Sequence, residues 1–463
     1  MESTSKRWLS NSAANIIGGV ANAGISLLLP AVVVKHITPS EFSLWNLSLQ
    51  IIVYVNLLGM GLQTATARAI ARTTSSNGQT DPLAPATVRA ARSIANISSL
   101  IAIILVVGLV IGYPLLFPGV PPSLLTGFRI TLGLLGLAAV GQILAQVDMG
   151  IFQGLHRNFI FVGVQTTVRA LSVLAVGLGA SLGGSLVTLA ALMSASTILL
   201  WPAMRAMARH LLPWARHLTQ VPLDRRLRTD LLKYCGTLSV WSVSMLLVNS
   251  VGILIVGRID LPMAGPYALA MTAASVFVGL LNAALSPLMT SAASLHATEE
   301  GRKHLPNLLS RSTLGAAIAL NAMIAATLVL YPFVLRVWVG ENFVQSAGPL
   351  VVALCAGHCL RNIGAPYALM LLASGLQRRA MVSALLEGLS NLLASYFLGI
   401  HWGALGVACG TLVGAVIGLI GTLILNTHQT PELTPRPIQF AVKAVLLPLI
   451  AFLPLQIFLL NIH

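Results

Sequence analysis

The sequence predicts an all-α, polytopic membrane protein built as a parallel repeat of two six-helix bundles, and three observations carry that prediction. Of its 463 residues, 56% are hydrophobic and 8% charged. With a mean hydropathy of +0.87, the chain has too little polar surface to cover a water-soluble globule of this size. Apolar runs of about 20 residues, the length that crosses a hydrocarbon core of ~30 Å, recur between short polar turns. The third observation is an internal echo. Arg92-Ser93 followed by Tyr113-Pro114 returns as Arg311-Ser312 followed by Tyr331-Pro332, and Gly154-Leu155-His156-Arg157 returns as Gly375-Leu376-Gln377-Arg378. The offset is about 220 residues and also carries Ile37 and Trp45 onto Ile259 and Tyr267, so the copies share a register over whole helices.

Each run is read as a helix, because backbone polar groups in lipid must bond within their own segment. The first, 11–34, is retained: the small-x-small site Ala21-Asn22-Ala23 follows too short an apolar run for a cleaved signal. One face of it carries Asn11, Asn15, Asn22 and Ser26, and Pro30 can bend its outer end. Helices follow at 42–67, 93–117 and 128–152, the last with Asp148 near its cytoplasmic end, where water is expected to reach it. The fifth, 159–182, aligns Gln165, Arg169 and Ser172, and 185–209 closes the set.

Residues 211–232 form a basic inter-lobe linker whose mixed apolar and basic positions suit chain lying along an anionic leaflet. The second set occupies 233–257, 264–290, 312–338, 347–374, 380–400 and 403–425. Ser275, Asn282 and Ser286 share a face of 264–290, and His358, Arg361 and Asn362 cluster in 347–374. Ser383, Glu387, Ser390 and Asn391 line 380–400, while Gly406, Gly410, Gly414 and Gly418 form a smooth stripe on 403–425 that invites a close helix neighbour. The domains are therefore 1–210, the linker 211–232, 233–427 and a tail 428–463. In the tail, 441–460 is long enough to cross but holds Pro448 and Pro454, expected to interrupt it.

The 27 basic residues against 12 acidic ones raise the question of nucleic acid, and their distribution answers it. With the amino terminus placed in the cytoplasm, 21 of them fall on the inner side, and only Lys35, Arg129, Arg258 and Arg336 on the outer. This is the positive-inside pattern, so no nucleic-acid partner is needed. Because each set has an even number of helices, both enter from the same side and the repeat axis follows the membrane normal.

Arg169, Arg361 and Glu387 fall inside helices, where a charged side chain costs roughly 2.5–3.5 kcal/mol on insertion scales. Two readings stand side by side: an internal salt bridge, Arg361 to Glu387 being the obvious pair, or contact with substrate. For the Asn and Ser positions the plainer reading is hydrogen bonding between helices. Cys355, His358 and Cys359 share a turn but lack a fourth ligand, so no metal is expected, and Cys235 and Cys409 fit small buried residues. No phosphate-binding Gly-Lys loop, H-E-x-x-H or G-x-S-x-G element occurs, which argues against an ATPase or hydrolase and calls for no cofactor. Glu387, His358 and Asp148 are the protonation sites open to a gradient-coupled carrier.

The stretch Ile37-Thr38-Pro39-Ser40-Glu41-Phe42-Ser43-Leu44-Trp45, continuing through Tyr54-Val55-Asn56-Leu57-Leu58-Gly59-Met60-Gly61-Leu62 to Ala67-Arg68, resembles the opening of the Wzx-type polysaccharide flippases. These belong to the multidrug/oligosaccharidyl-lipid/polysaccharide (MOP) exporter superfamily, and the turn at Gly154 with its copy at Gly375 is also similar to that family. The resemblance implies two lobes around a central cavity in the bacterial inner membrane. It implies movement of an undecaprenyl-diphosphate-linked oligosaccharide to the periplasmic leaflet for surface polysaccharides such as O-antigen, with membrane lipids, a polysaccharide polymerase and a chain-length regulator as partners. A cationic, wet chamber suits a diphosphate. Its candidate lining is Arg169, Arg361, His358, Glu387, Asn22 and Asn282, with Lys35 and Arg258 at the outer ends of the first and seventh helices. The alternative is a cation-coupled drug or metabolite antiporter of the same superfamily. One departure from the family stands out: members often carry an acidic residue where this chain has Gly59.

Cysteine labelling tests the topology. Positions in 205–232 and 296–311 should react only from the cytoplasmic side and positions in 118–127 only from the periplasm; an outer 205–232 would overturn the arrangement.

Overall fold

The computed structural model describes residues 24–59, 61–73, 83–155, 157–216, 218, 221–296, 298–376 and 381–460. Among these the chain is helical with no strand, and ten stretches are long and apolar enough to cross a membrane. Two compact units divide it, Met1–Val243 and Ser244–His463.

In the first unit, α1 (Gly24–Val33) is followed by α2 (Pro39–Asn56), α3 (Leu62–Arg72), α4 (Leu83–Leu116), α5 (Leu125–Gly154), α6 (Asn158–Ser181), α7 (Leu186–Ile198) and α8 (Leu200–Leu211). The Thr38-Pro39-Ser40-Glu41 run starts α2 as a capping box: Thr38 Oγ1 accepts from the Glu41 amide at 3.3 Å, and Glu41 Oε2 accepts from the Thr38 amide at 3.0 Å. The expected helix 42–67 is two helices, parted by a turn at Leu57–Gly59 and by Gly61, whose φ of 80° glycine adopts without a Cβ clash. The expected helix 93–117 begins ten residues early, at Leu83, because Ala84, Val88, Ala91 and Ala95 carry its buried face past Arg89 and Arg92.

Helix α5 packs against α2, α3, α4, α7 and α8 and is the centre of this unit. It approaches α3 so closely that a Cβ at Gly150 would lie 2.6 Å from the Gln63 carbonyl oxygen, and one at Gly154 2.5 Å from that of Ala67. The linker region does not simply lie on a leaflet. Leu212, Ala215 and Leu218 are buried against Ile70, Val88 and Ile151, and Arg89 Nη1 donates to the Leu218 carbonyl at 3.2 Å. Helix α9 (Arg225–Asn249) starts within the expected linker, and the Arg68 guanidinium sits 4.7 Å from the centre of its Tyr234 ring.

The second unit holds the end of α9, then α10 (Val251–Ile259), α11 (Ala264–His296), the short α12 (Glu299–Arg302), α13 (Leu305–Trp338), α14 (Asn342–Asn362), α15 (Ala365–Ala373) and α16 (Met381–Gly421). The closing apolar segment is Pro437–Ile457. Pro448 and Pro454 do not interrupt it: the helical run passes from a π-helical turn at Ala441–Leu446 straight into Leu447–Leu460, which holds both prolines. The internal echo is visible in the elements. Helices α4 and α13 are each 34 residues long with a proline near the end, Pro114 and Pro332. The Tyr113 ring packs edge-on against Phe128 at 5.5 Å, and Tyr331 covers Gly348 early in α14. Trp45 and Tyr267 are both buried, at 1% exposure.

Helix α16 is two helices folded at Trp402 and Gly403, whose φ of 59° and ψ of −143° are open to glycine. The glycine stripe faces the first half in antiparallel register. Cβ atoms built at Gly406, Gly410, Gly414, Gly418 and Gly421 would meet, in turn, Leu398, Ser395, Asn391, Glu387 and Ser383. At Gly410 the clash is with backbone, 2.3 Å from both the nitrogen and the Cα of Ser395. Gly410→Ala should therefore cost about 1–3 kcal/mol and lower the thermal midpoint of the purified protein, whereas Gly315→Ala, where nothing lies within 4 Å, should leave it unchanged or raised.

Candidate functional site

The intramembrane charges of the second unit converge where α9, α14 and α16 meet. Helix α9 stops at Asn249, because Ser250 leaves the helical conformation, with φ −132° and ψ −17°. A helix end in the membrane exposes carbonyls that lipid cannot satisfy. Asn391 of α16 answers one of them, its Nδ2 donating to the Leu247 carbonyl at 2.8 Å. Asn249 itself turns its Oδ1 to Arg361 Nη1 at 2.6 Å. The same guanidinium places Nε 3.3 Å from Glu387 Oε1, so the expected Arg361–Glu387 pair forms, with 18% and 11% of the two side chains exposed. Gly418 makes room for it, since a Cβ there would lie 2.6 Å from Glu387 Oε2.

His358 lies one turn before Arg361 on α14 and is 4% exposed. Among the described residues neither of its ring nitrogens meets a hydrogen-bond partner, and Asn362 Nδ2 bonds its backbone carbonyl at 2.7 Å. The polar string on α16 continues in both directions along the helix: Ser395 Oγ sits 3.2 Å from Asn391 Oδ1 and 3.1 Å from the Val407 carbonyl, and Ser383 Oγ accepts from Asn426 Nδ2 at 2.7 Å. Among the described residues no three metal-ligating side chains gather.

The first unit has a different arrangement. Arg169 of α6 is exposed, and its Nη2 donates to Ser26 of α1 at 3.2 Å, joining two of the polar faces read from sequence. Ser172, one turn on, is buried, 2.7 Å from Ser196 of α7. A second buried charge pair among the described residues departs from the sequence reading. Asp148 is not solvated but 1% exposed, bonded by Arg92 Nη2 at 2.7 Å. Arg92 was counted with the cytoplasmic charges because helix α4 was expected to begin after it; with α4 starting at Leu83, this arginine lies inside the helix and reaches α5. Uncharged polar pairs tie the same region, Asn56 to Gln142 at 2.8 Å and Gln63 to Gln153 at 3.0 Å. At Gly59, the position of the family's acidic residue, a Cβ would fall 2.9 Å from Gln146 Nε2, so a neutral amide fills the space a carboxylate would need.

The remaining candidates are dispersed. Lys35, Arg258 and Asn282 are exposed on α1's exit, α10 and α11, and Asn22 lies outside the described residues. At the end of α13, Arg336 pairs with Glu341, Nη2 to Oε1 at 3.0 Å, and holds that carboxyl below its usual range.

Long apolar helices in two compact units, each unit burying a charge pair of its own, define a multi-pass membrane protein. The fold is similar to a solved structure of the lipid II flippase MurJ in an inward closed conformation, at 13% identity and a TM-score of 0.70, covering 98% of each chain. It is likewise similar to an inward-facing multidrug resistance MATE family transporter of the MOP superfamily, at 16% identity and a TM-score of 0.70, over 89% of this chain and 96% of that one. A MOP superfamily transporter from Pyrococcus furiosus matches at 17% identity and a TM-score of 0.52, over 92% and 96%. At these identities the likeness establishes the fold. No curated protein matches the sequence. Residues 8–297 match the model of the polysaccharide biosynthesis protein family, and the chain belongs to that family.

The Arg361–Glu387 pair has a measurable signature. Removing one partner of a buried ion pair typically costs about 3–5 kcal/mol, whereas replacing both by apolar residues is near neutral. Arg361→Met and Glu387→Met should each lower the thermal midpoint sharply and the double variant should recover most of the loss; additive losses would show that the pair does not hold the bundle.

Proposed function

We propose that this chain is a flippase that carries an undecaprenyl-diphosphate-linked oligosaccharide from the cytoplasmic to the periplasmic leaflet by alternating access of its lobes, 1–210 and 233–427, within the bacterial inner membrane. The observation that carries the reading is Arg169. It is a guanidinium in the middle of an apolar helix that keeps exposed surface and bonds a neutral hydroxyl, as a group meant to receive an anion would. A diphosphate is bound well by such a fork, and moving it through bare hydrocarbon would carry a heavy desolvation cost. Membership of the polysaccharide biosynthesis family and the fold shared with a lipid II flippase support the same substrate class. In this reading Arg361 and Glu387 have a different task from Arg169: the pair holds α14 to α16, and its charges are spent on each other. Lys35 and Arg258 would receive the head group at the outer ends, and the polymerase and chain-length regulator would act on the delivered glycan.

Arg169→Gln keeps polarity and removes charge, so glycan export in a strain dependent on this protein should fall at least tenfold while the protein stays in the membrane at normal level. Arg169→Lys should restore part of it, because an ammonium holds phosphate as a point charge without the planar fork. Export at the wild-type rate by Arg169→Gln would remove the anion-receiving role. Export of cationic drugs in place of glycan would favour the antiporter.

A further inference from the structure

On the first unit a groove of about 680 Å³ runs between α6 and α8. Ile160, Val164 and Val168 form one wall, Met207 and Leu211 the other, and Arg157 stands at its mouth. Gly163 lines it too, with nothing within 4 Å of where a Cβ would stand. From Arg157 to Val168 the helical rise is about 16 Å, the depth of one leaflet's half of a ~30 Å hydrocarbon core. The groove is too small for an α-helix of ~10 Å diameter and its walls are apolar, so its dimensions suit a single acyl chain.

The mouth selects the head group. Arg157 opens α6, and the antiparallel α8 ends beside it with Arg209 and His210 in its last turn. Arg216 folds back on the same end, its Nε donating to the Arg209 carbonyl at 2.9 Å. Between Asp148 and Asp224 the chain carries no carboxylate side chain, so the arginines of this stretch outnumber the carboxylates it supplies and favour an anionic ligand at its mouth. We infer that the α6–α8 groove is a binding site for an anionic glycerophospholipid of the cytoplasmic leaflet, one acyl chain seated along Val164 and Met207 and the phosphate held by Arg157. This site lies apart from Arg169's bond to α1 and does not depend on the flippase reading.

Gly163 lines the groove and a Cβ there meets nothing within 4 Å, so Gly163→Leu takes up groove space, replaces glycine with a better helix former and should fold at least as well as the wild type. The full-length protein, purified and mixed with phosphatidylglycerol, phosphatidylethanolamine or undecaprenyl phosphate, is read by native mass spectrometry, and a phosphatidylglycerol carrying a photoactivatable acyl chain locates the contact. Phosphatidylglycerol should bind at least tenfold better than phosphatidylethanolamine and crosslink within 159–168 and 203–211. Gly163→Leu should lower its occupancy tenfold, and Arg157→Gln should abolish the preference for the anionic head group. Unchanged binding by Gly163→Leu, equal binding of the zwitterionic lipid, or displacement by equimolar undecaprenyl phosphate would each overturn the assignment. The lipid-free thermal midpoint of each variant separates loss of the site from loss of the fold.

Discussion

Hydrocarbon offers no hydrogen bonds, and the architecture of this chain follows from how it meets that constraint. Unbroken helix satisfies the backbone without help, so each interruption needs a compensating group. Where α9 ends at Asn249, the amide of Asn391 takes the Leu247 carbonyl, and the Asn249 side chain is an acceptor for Arg361. A break in one helix thus creates the polar patch that can hold a guanidinium on another. The glycine stripe of α16 is the other half of the arrangement. By letting its two halves approach closely it brings Asn391 and Glu387 into a buried layer where their bonds are strong.

The two units share a scaffold and differ in their charges. Matching 34-residue helices with late prolines and buried aromatic anchors at Trp45 and Tyr267 repeat along the chain. The ion pairs do not: Arg92–Asp148 joins α4 to α5, whereas Arg361–Glu387 joins α14 to α16. The frame repeats, and each copy buries charge in its own way. Arg169, bonded to a serine hydroxyl on α1 and still exposed, belongs to neither pair.

Helices were legible in the sequence because apolar runs of membrane length have few other solutions, and the fold of α16 at Trp402 and Gly403 lies where the run was expected to part. Arg361 and Glu387 were legible because charges are rare in such runs and a partner had to be near. Arg92 was not, since an arginine close to a polar turn looks solvated until the start of α4 is known. The end of α9 was hidden for another reason: Asn249-Ser250 carries neither glycine nor proline, and only the distant Asn391 makes a break there tolerable. The buried linker residues Leu212, Ala215 and Leu218 were masked by the arginines among them.

The spacing of the first ion pair also bears on how the protein is made. Arg92 precedes Asp148 by 56 residues, which at ~5–20 residues per second is roughly 3–11 s of synthesis. During that interval α4 has an arginine whose carboxylate does not yet exist. Arg361 is spared part of this wait, because Asn249 was made 112 residues earlier. Asp148 therefore meets a cation already in place when α5 arrives, and the carboxylate that ends 1% exposed need never be buried alone.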